Sequence, residues 1–226
     1  MFAYRLKRAL LSPRDIYLRR ASRYPARDIV AGIDQDAFFG LRRGARARVV
    51  GSQNLKYFNL DDWMPEAVER VMRLDLHKQR RKSVLDIGTG FGFFPYACEY
   101  FSHSAVCTDI KQQDLYDEVT DLLGLKKHHH AVMPNEPLPD FGGPFDIVTA
   151  YQIAFNRPNQ PEEWGAADWK FFLDDVLTNH LKPGGRLHLG LNYLPRFKSW
   201  YSPEVKRVFQ SFDAKIDFMH VDIVKR

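Results

Sequence analysis

The chain has 226 residues, 45% of them hydrophobic, with a formal net charge of +5 and two cysteines. That suits one α/β domain with an ordinary core and an N-terminal extension. It excludes a bilayer span, which needs about 20 consecutive apolar residues, and a disulfide framework; Arg5, Lys7, Arg8 and Pro13 break up any secretory signal, so a cytoplasmic location is expected, with peripheral membrane attachment left open.

Charge is uneven along the chain. Residues 1–50 carry eleven arginines and one lysine against four acids, a local +8, which leaves −3 for the other 176 residues. A basic extension over 1–55 and a ligand-binding domain over 56–226 are expected. Arginine forks pair with phosphate and carboxylate. An anionic partner of the extension (RNA, an acidic glycan or a membrane surface) therefore stands beside the plainer reading of intramolecular ion pairs. Phe2, Leu6 and Leu10 share a helical face. Residues 40–51, with Gly40, Gly44, Gly51 and four arginines, read as a mobile basic loop. Asp61 or Asp62 is expected to cap a helix beginning near Trp63, with Val68, Val71 and Met72 on its inner face.

Residues 83–87 read as a buried strand, and Asp86-Ile-Gly88-Thr-Gly90-Phe-Gly92 as a strand end, a glycine bend and a helix start. Glycines let the backbone approach a ligand closely, and the helix N-terminus offers unpaired N–H groups. A dinucleotide fingerprint would need a third glycine three residues after the second; Phe93 and Pro95 hold that place in the two possible registers. A helix over 93–101 follows, then a strand ending at Asp109, twenty-three residues after Asp86. A carboxylate at that strand tip can accept two hydrogen bonds from a ribose diol, and Ile110 can pack on a base. The alternative is an Asp that caps the next helix, over 114–123, with Gly124 as its stop.

Residues 128–133 read as the third strand. Its three consecutive histidines alternate faces and cannot share one metal ion. Residues 145–151 read as the fourth strand, 156–167 as a long polar loop and 167–181 as a helix. Pro183-Gly184-Gly185 reads as the turn into the fifth strand, and Ser202 as the cap of a helix over 202–212. Residues 214–226 alternate as one strand or a hairpin. Cys98 and Cys107 read as small core residues.

The pattern D-x-G-x-G-x-G, the acid at 109, Phe145-Asp-Ile-Val and Leu181-Lys-Pro-Gly-Gly, in that order over about 83–192, resemble the motifs of the class I S-adenosylmethionine-dependent methyltransferases. The resemblance implies an α/β fold, a doubly wound, mostly parallel seven-stranded sheet with helices on both faces. It implies S-adenosylmethionine as cofactor, held by Asp86, Gly88, Gly90, Gly92, Asp109, Ile110, Met133, Asn135 and Tyr151. In the family the slot after the third strand often holds an Asp that reads the adenine amino group. Pro134 and Asn135 fill it here, and the Asn135 carbonyl can take that bond. Lys56, Tyr57 and Asn59 belong to a segment that often covers the cofactor. Gln152, Asn156, Asn192 and Tyr193 are expected at the acceptor pocket.

The run Tyr151-Gln-Ile-Ala departs from the Asn/Asp/Ser-Pro-Pro-aromatic run of enzymes that methylate the amino groups of adenine or cytosine. No carboxylate follows Asp146 before Glu162, where metal-dependent catechol-type enzymes need them. The expectation is a metal-independent transferase acting on an O or N of a small molecule or glycan. The alternatives are an RNA methyltransferase that uses the basic extension, and a non-catalytic interaction module that keeps the fold. No residue is singled out as a base; His103 and His188 come nearest, and His188 sits within a strand.

Overall fold

The computed structural model describes residues 13–47, 52–111, 114–153 and 163–226. The expected face of Phe2, Leu6 and Leu10 and the expected acceptor residue Asn156 lie outside these. The chain opens with α1 (Pro13–Ala21), α2 (Arg23–Ala31), α3 (Gln35–Ala47), two short helical turns over 52–58, and α4 (Leu60–Arg73). Then come β1 (Ser83–Ile87), α5 (Phe93–Tyr100), β2 (Ser104–Asp109), α6 (Asp114–Leu122), β3 (Lys127–His129) and β4 (Phe145–Tyr151). The last elements are α7 (Ala166–Asp175), continued by a wider π turn, then β5 (Leu181–Gly190), α8 (Pro203–Ser211), β6 (Lys215–Asp217) and β7 (His220–Val224). No helix among the described residues is long and apolar enough to cross a membrane.

One seven-stranded sheet has the order β3-β2-β1-β4-β5-β7-β6. The pairings from β3 across to β5 are parallel, and β7 is antiparallel to both of its neighbours. The undecided C-terminus is thus a hairpin, with β7 inserted between β5 and β6. Val84, Leu85 and Ile87 are buried, as a central parallel strand covered on both faces requires. Strand alternation sends Val84 into the core under α1–α6 and Leu85 and Ile87 into the core under α7 and α8. Cys98 and Cys107 are free thiols buried in the first of these cores, and burial pushes the Cys107 pKa up to about 12.

Three local expectations are corrected. Residues 35–47 form a helix where a mobile basic loop over 40–51 was expected; the last four residues of that expectation, 48–51, lie outside the described residues. Asp34 caps it, its Oδ1 accepting from the Ala37 amide at 2.9 Å, and Phe38, Leu41 and Ala45, spaced three and four apart, face the core. Burial of that face outweighs the helix cost of Gly40 and Gly44, about 1 kcal/mol each. Helix α4 begins at Leu60, with Asn59 rather than Asp61 or Asp62 at its cap; Asn59 Nδ2 donates to Asp62 Oδ2 at 2.6 Å. The third strand ends at His129, four residues early. Among the described residues it is an edge strand paired only with β2, which ends at Asp109, and the last link is the His130 amide donating to the Asp109 carbonyl at 2.9 Å.

The Pro183-Gly184-Gly185 turn survives as a bulge inside β5. Phe145 pairs with Leu181, and the next paired residues are Ile147 and Arg186. Helices α1 and α2 are nearly continuous, because Ser22 keeps helical angles and its amide and carbonyl keep their bonds. Pro25, which has no amide hydrogen, accounts for the break.

Candidate functional site

A cavity of about 370 Å³ opens at the carboxyl edge of the sheet, over the tips of β1, β2 and β4. Its size falls in the range of small-molecule sites, about 300–1,000 Å³, and it lies where open α/β sheets bind ligands. The glycine bend Gly88–Phe91 forms its floor, Asp109 and Ile110 one side, and Tyr151, Gln152, Ile153 and Asn192 another. Helix α4 closes over it with Trp63, Glu66 and Arg70, and Lys56 and Tyr57 stand beside that helix.

Asp109 joins β2 to the bend. Its Oδ2 accepts from the Gly90 amide and its Oδ1 from the Ile110 amide, both at 2.8 Å. A carboxylate has about four acceptor positions, so these two bonds fix its orientation and leave lone pairs toward the cavity. Burial raises its pKa, and the two amide bonds only partly offset this. Gly88 has φ +71°, and a Cβ there would meet Ile153 Cγ2 at 3.0 Å. Gln152 also takes positive φ, 53°, at the rim, with its amide bonded to the Gly190 carbonyl at 2.6 Å. Such strain in a non-glycine residue persists where the surroundings over-determine it. Asn192 Nδ2 donates to the Ile153 carbonyl at 3.1 Å, which holds the ends of β4 and β5 together at the cavity.

Five expected site residues stand outside the cavity wall. Asp86 points the other way along β1 from Ile87, is 3% exposed, and accepts from Thr149 Oγ1 at 2.6 Å. Gly92 sits behind the bend. Its φ is +79°, and a Cβ would lie 2.5 Å from Leu125 Cδ1, so this glycine lets α5 pack against the end of α6. Met133 and Asn135 follow an edge strand that has already ended, and Asn135 Nδ2 donates to Asp168 Oδ1 at 2.9 Å. His130 and Val132 line the cavity in their place. The Tyr193 ring packs edge-on against Trp200 at 5.5 Å. Gly88, Gly90, Asp109, Ile110, Tyr151, Gln152 and Asn192 do share the wall.

Both histidines considered as a base are held in the fold. His103 Nδ1 accepts from the Lys82 amide at 3.2 Å, and its Nε2 bonds the Leu76 carbonyl at 3.1 Å. His188 is fully buried, and its Nδ1 pairs with Asp222 Oδ1 at 2.7 Å. The histidine run divides by strand alternation. His129 bonds Asp117 at 2.9 Å, while His128 and His130 both contact Phe141.

The wall that sequence reasoning missed is the α4 face. Glu66 and Arg70, with Ala67 between them, form an i, i+4 pair on one side of α4, linked by Arg70 Nη2 to Glu66 Oε1 at 2.9 Å. The spacing signals a helical ion pair. Nothing local signals that this face turns to the glycine bend.

No family model and no curated protein matches the sequence. Among solved structures, the PH0226 protein of Pyrococcus horikoshii OT3 matches with a TM-score of 0.52 at 13% identity, over 71% of this chain and 89% of that one. That likeness and the sheet order, with its antiparallel β7, decide the fold. It is the Rossmann-like fold of the class I methyltransferases. Two solved methyltransferases align more loosely. The amino pentose methyltransferase CalS10 from Micromonospora echinaspora, bound to S-adenosylmethionine, matches at 22% identity over 60% of this chain and 53% of that one, with a TM-score of 0.46. The glycopeptide N-methyltransferase MtfA, complexed with sinefungin, matches at 16% identity over 60% and 56%, with a TM-score of 0.43. The chain spans about half the length of these two methyltransferases.

Proposed function

We propose that this chain is a methyltransferase that binds S-adenosylmethionine in the cavity and transfers its methyl group to an O or N of a small molecule or glycan, with no metal. The supporting observation is Asp109, tethered to the glycine bend by the Gly90 amide with lone pairs left for a ribose diol. The residues fit the cofactor: an acid for the ribose, apolar Ile110 and Val132 beside it for the base, and a bend that brings backbone close. Bound there, the sulfonium supplies a methyl carbon already activated for in-line transfer.

The chain's own residues then have a short task. They hold the acceptor in line at about 3 Å and exclude water. Gln152 and the Asn192 carbonyl are neutral and suit orienting a hydroxyl or amine. The Lys56 ammonium, 4.9 Å from the Tyr57 ring centroid and 5.8 Å from that of Trp63, gives the mouth an aromatic and cationic character suited to a sugar or an anionic small molecule. Asp146, the acid of β4, bonds Ser83 and Lys182 at the far end of the strand, so it offers no metal ligand here.

Asp109→Asn keeps an oxygen for one backbone amide and loses the charged acceptor. It should weaken S-adenosylmethionine binding about tenfold or more, as loss of a charge-assisted bond does, with the thermal midpoint little changed. Calorimetry measures this, and an unaltered affinity would remove the ribose assignment.

A second reading has its own support. Arg20, Arg23 and Arg27 are exposed beside exposed Tyr17 and Tyr24 on α1 and α2. Arginines interleaved with aromatics suit RNA, through phosphate contacts and base stacking.

A further inference from the structure

One buried corner of the sheet, across β4, β5 and β7, carries polar groups that neither the cofactor nor the acceptor contacts use. Tyr151, Gly190 and His220 stand side by side in one row of paired residues, and Thr149, His188 and Asp222 form the row two residues away on the same face. A Cβ at Gly190 would lie 2.5 Å from Tyr151 Cδ1. The Tyr151 ring therefore lies across β5, in the space that a side chain at 190 would fill. Strands are about 4.8 Å apart, so a tyrosine laid over one neighbour directs its hydroxyl toward the next, where His220 stands. The ring centroid of His188 is 5.5 Å from that of Tyr151 and 5.2 Å from that of His220, and the two imidazoles stack at 25°.

Each of these three residues has a buried side-chain atom with no hydrogen-bond partner among the described residues: Tyr151 Oη, His188 Nε2 and His220 Nδ1. Buried polar atoms in native proteins are paired, and an internal water typically serves about three of them. The donors and acceptors here match one water. An ionised carboxylate only accepts, so His188 Nδ1 carries the proton of its 2.7 Å bond to Asp222 Oδ1, and Nε2 keeps a lone pair. A water can accept from the Tyr151 hydroxyl and donate one hydrogen to each imidazole nitrogen. Tyr151 also lines the cavity. Arg70 of α4 covers its ring, with the guanidinium carbon 4.2 Å from the centroid, and Phe94 meets the ring edge-on at 5.5 Å.

We propose that Tyr151 Oη, His188 Nε2 and His220 Nδ1 bind one internal water, and that this buried anchor, oriented by Asp222 through His188, positions the Tyr151 ring in the cavity wall. His188 and Asp222 are thus positioning residues that touch no substrate. The positioning role rests on the S-adenosylmethionine reading given above; the water site does not.

The first test is a crystal structure of the full chain at a resolution that shows ordered water. One water should lie within about 3.2 Å of all three atoms; a direct bond between Tyr151 and His188, or a dry contact of the three rings, overturns the site. The second is Tyr151→Phe, which keeps the ring and removes the hydroxyl. A buried hydroxyl bonded to water stabilises a fold, whereas an unpaired one costs stability, so the sign of the change decides. The thermal midpoint should fall by about 2–4 °C; an unchanged or higher midpoint overturns the anchor. By calorimetry, Tyr151→Phe should also weaken S-adenosylhomocysteine binding about threefold. Unaltered affinity in a variant that has lost the water overturns the positioning role. If folded wild type does not bind S-adenosylhomocysteine, the cofactor reading fails and the positioning role with it, while the crystal structure still decides the water site.

Discussion

Asp86 shows how one buried carboxylate acts without touching a ligand. Burial raises its pKa to about 6, against the lowering effects of its hydrogen bond from Thr149 and of the Arg70 charge. Between about pH 4 and 6 the folded chain holds this proton while the unfolded chain has released it. Stability therefore falls as pH rises through that window, by up to about 3 kcal/mol for a shift of two units. Asp146 and Asp222 act in the opposite sense and at lower pH. Burial raises their pKa values, but Lys182 and Ser83 outweigh it for Asp146, and His188 and Arg186 for Asp222; the stability they contribute is lost as pH falls below about 4. Asp86→Asn should flatten much of the slope from pH 4 to 6, measured by urea unfolding at pH 4, 5, 6 and 7, with the residual slope carried by Asp109 and Glu69, whose pKa values burial also raises. An unchanged slope would mean that Asp86 is not the dominant buried acid.

At the scale of elements, Arg73 ties α1 to α4. It is buried, and it pairs with Asp15 of α1 and with Glu69 of its own helix, the latter at 3.0 Å. Taking away the cation would leave Glu69 with Arg19, 3.4 Å away, and cost Asp15 this partner, so the loss is that of charge-assisted hydrogen bonds, about 1.5–3 kcal/mol, rather than of an uncompensated buried charge. Arg73→Gln should lower stability by about that amount and speed amide exchange through α1 before the rest of the chain, whereas adding Asp15→Asn should restore part of the loss. Equal exchange in α1 and β1 would mean that the pair does not dock the helix. Helix α3 belongs to the same scale. Its signals were in the sequence, Asp34 as cap and Phe38, Leu41 and Ala45 as a stripe, but four arginines and two glycines over 40–48 suggested a loop. Propensity is local, and the burial of Phe38 against Phe58 and Phe93, with ring centroids 5.0 and 6.3 Å away, is not.

For the whole molecule, the basic N-terminal region is also core. Leu18, Ala26, Ile29, Ile33 and Phe38 are buried in one cluster with Met64, Val68 and Val71 of α4 and Leu115 of α6. Deleting residues 1–55 would strip that core and confound any binding assay, so the RNA reading needs surface charge reversal instead. Arg20→Glu, Arg23→Glu and Arg27→Glu combined should leave the fold intact. If RNA is the partner, the change should weaken binding and reduce the slope of log affinity against log salt by about 2, since single strands release about 0.7 counterion per phosphate contact. Weak, salt-insensitive binding by wild type would dismiss the reading.

The sequence alone determined the strand tips and what sits on them. Apolar runs at β1, β2 and β4, the glycines at 88 and 90, and the acid at 109 are short-range signals, because strand burial and positive φ leave their mark on adjacent residues. Only the tertiary structure decided which of those residues meet. Asp86 turns away because Ile87 faces the cavity and neighbouring strand residues alternate; Met133 and Asn135 drop out because an edge strand lasts no longer than its partner. The Glu66–Arg70 pair reaches the glycine bend, some twenty residues on, only because α4 packs over the tip of β1. Burial and facing are relations between distant segments, and no local spacing encodes them.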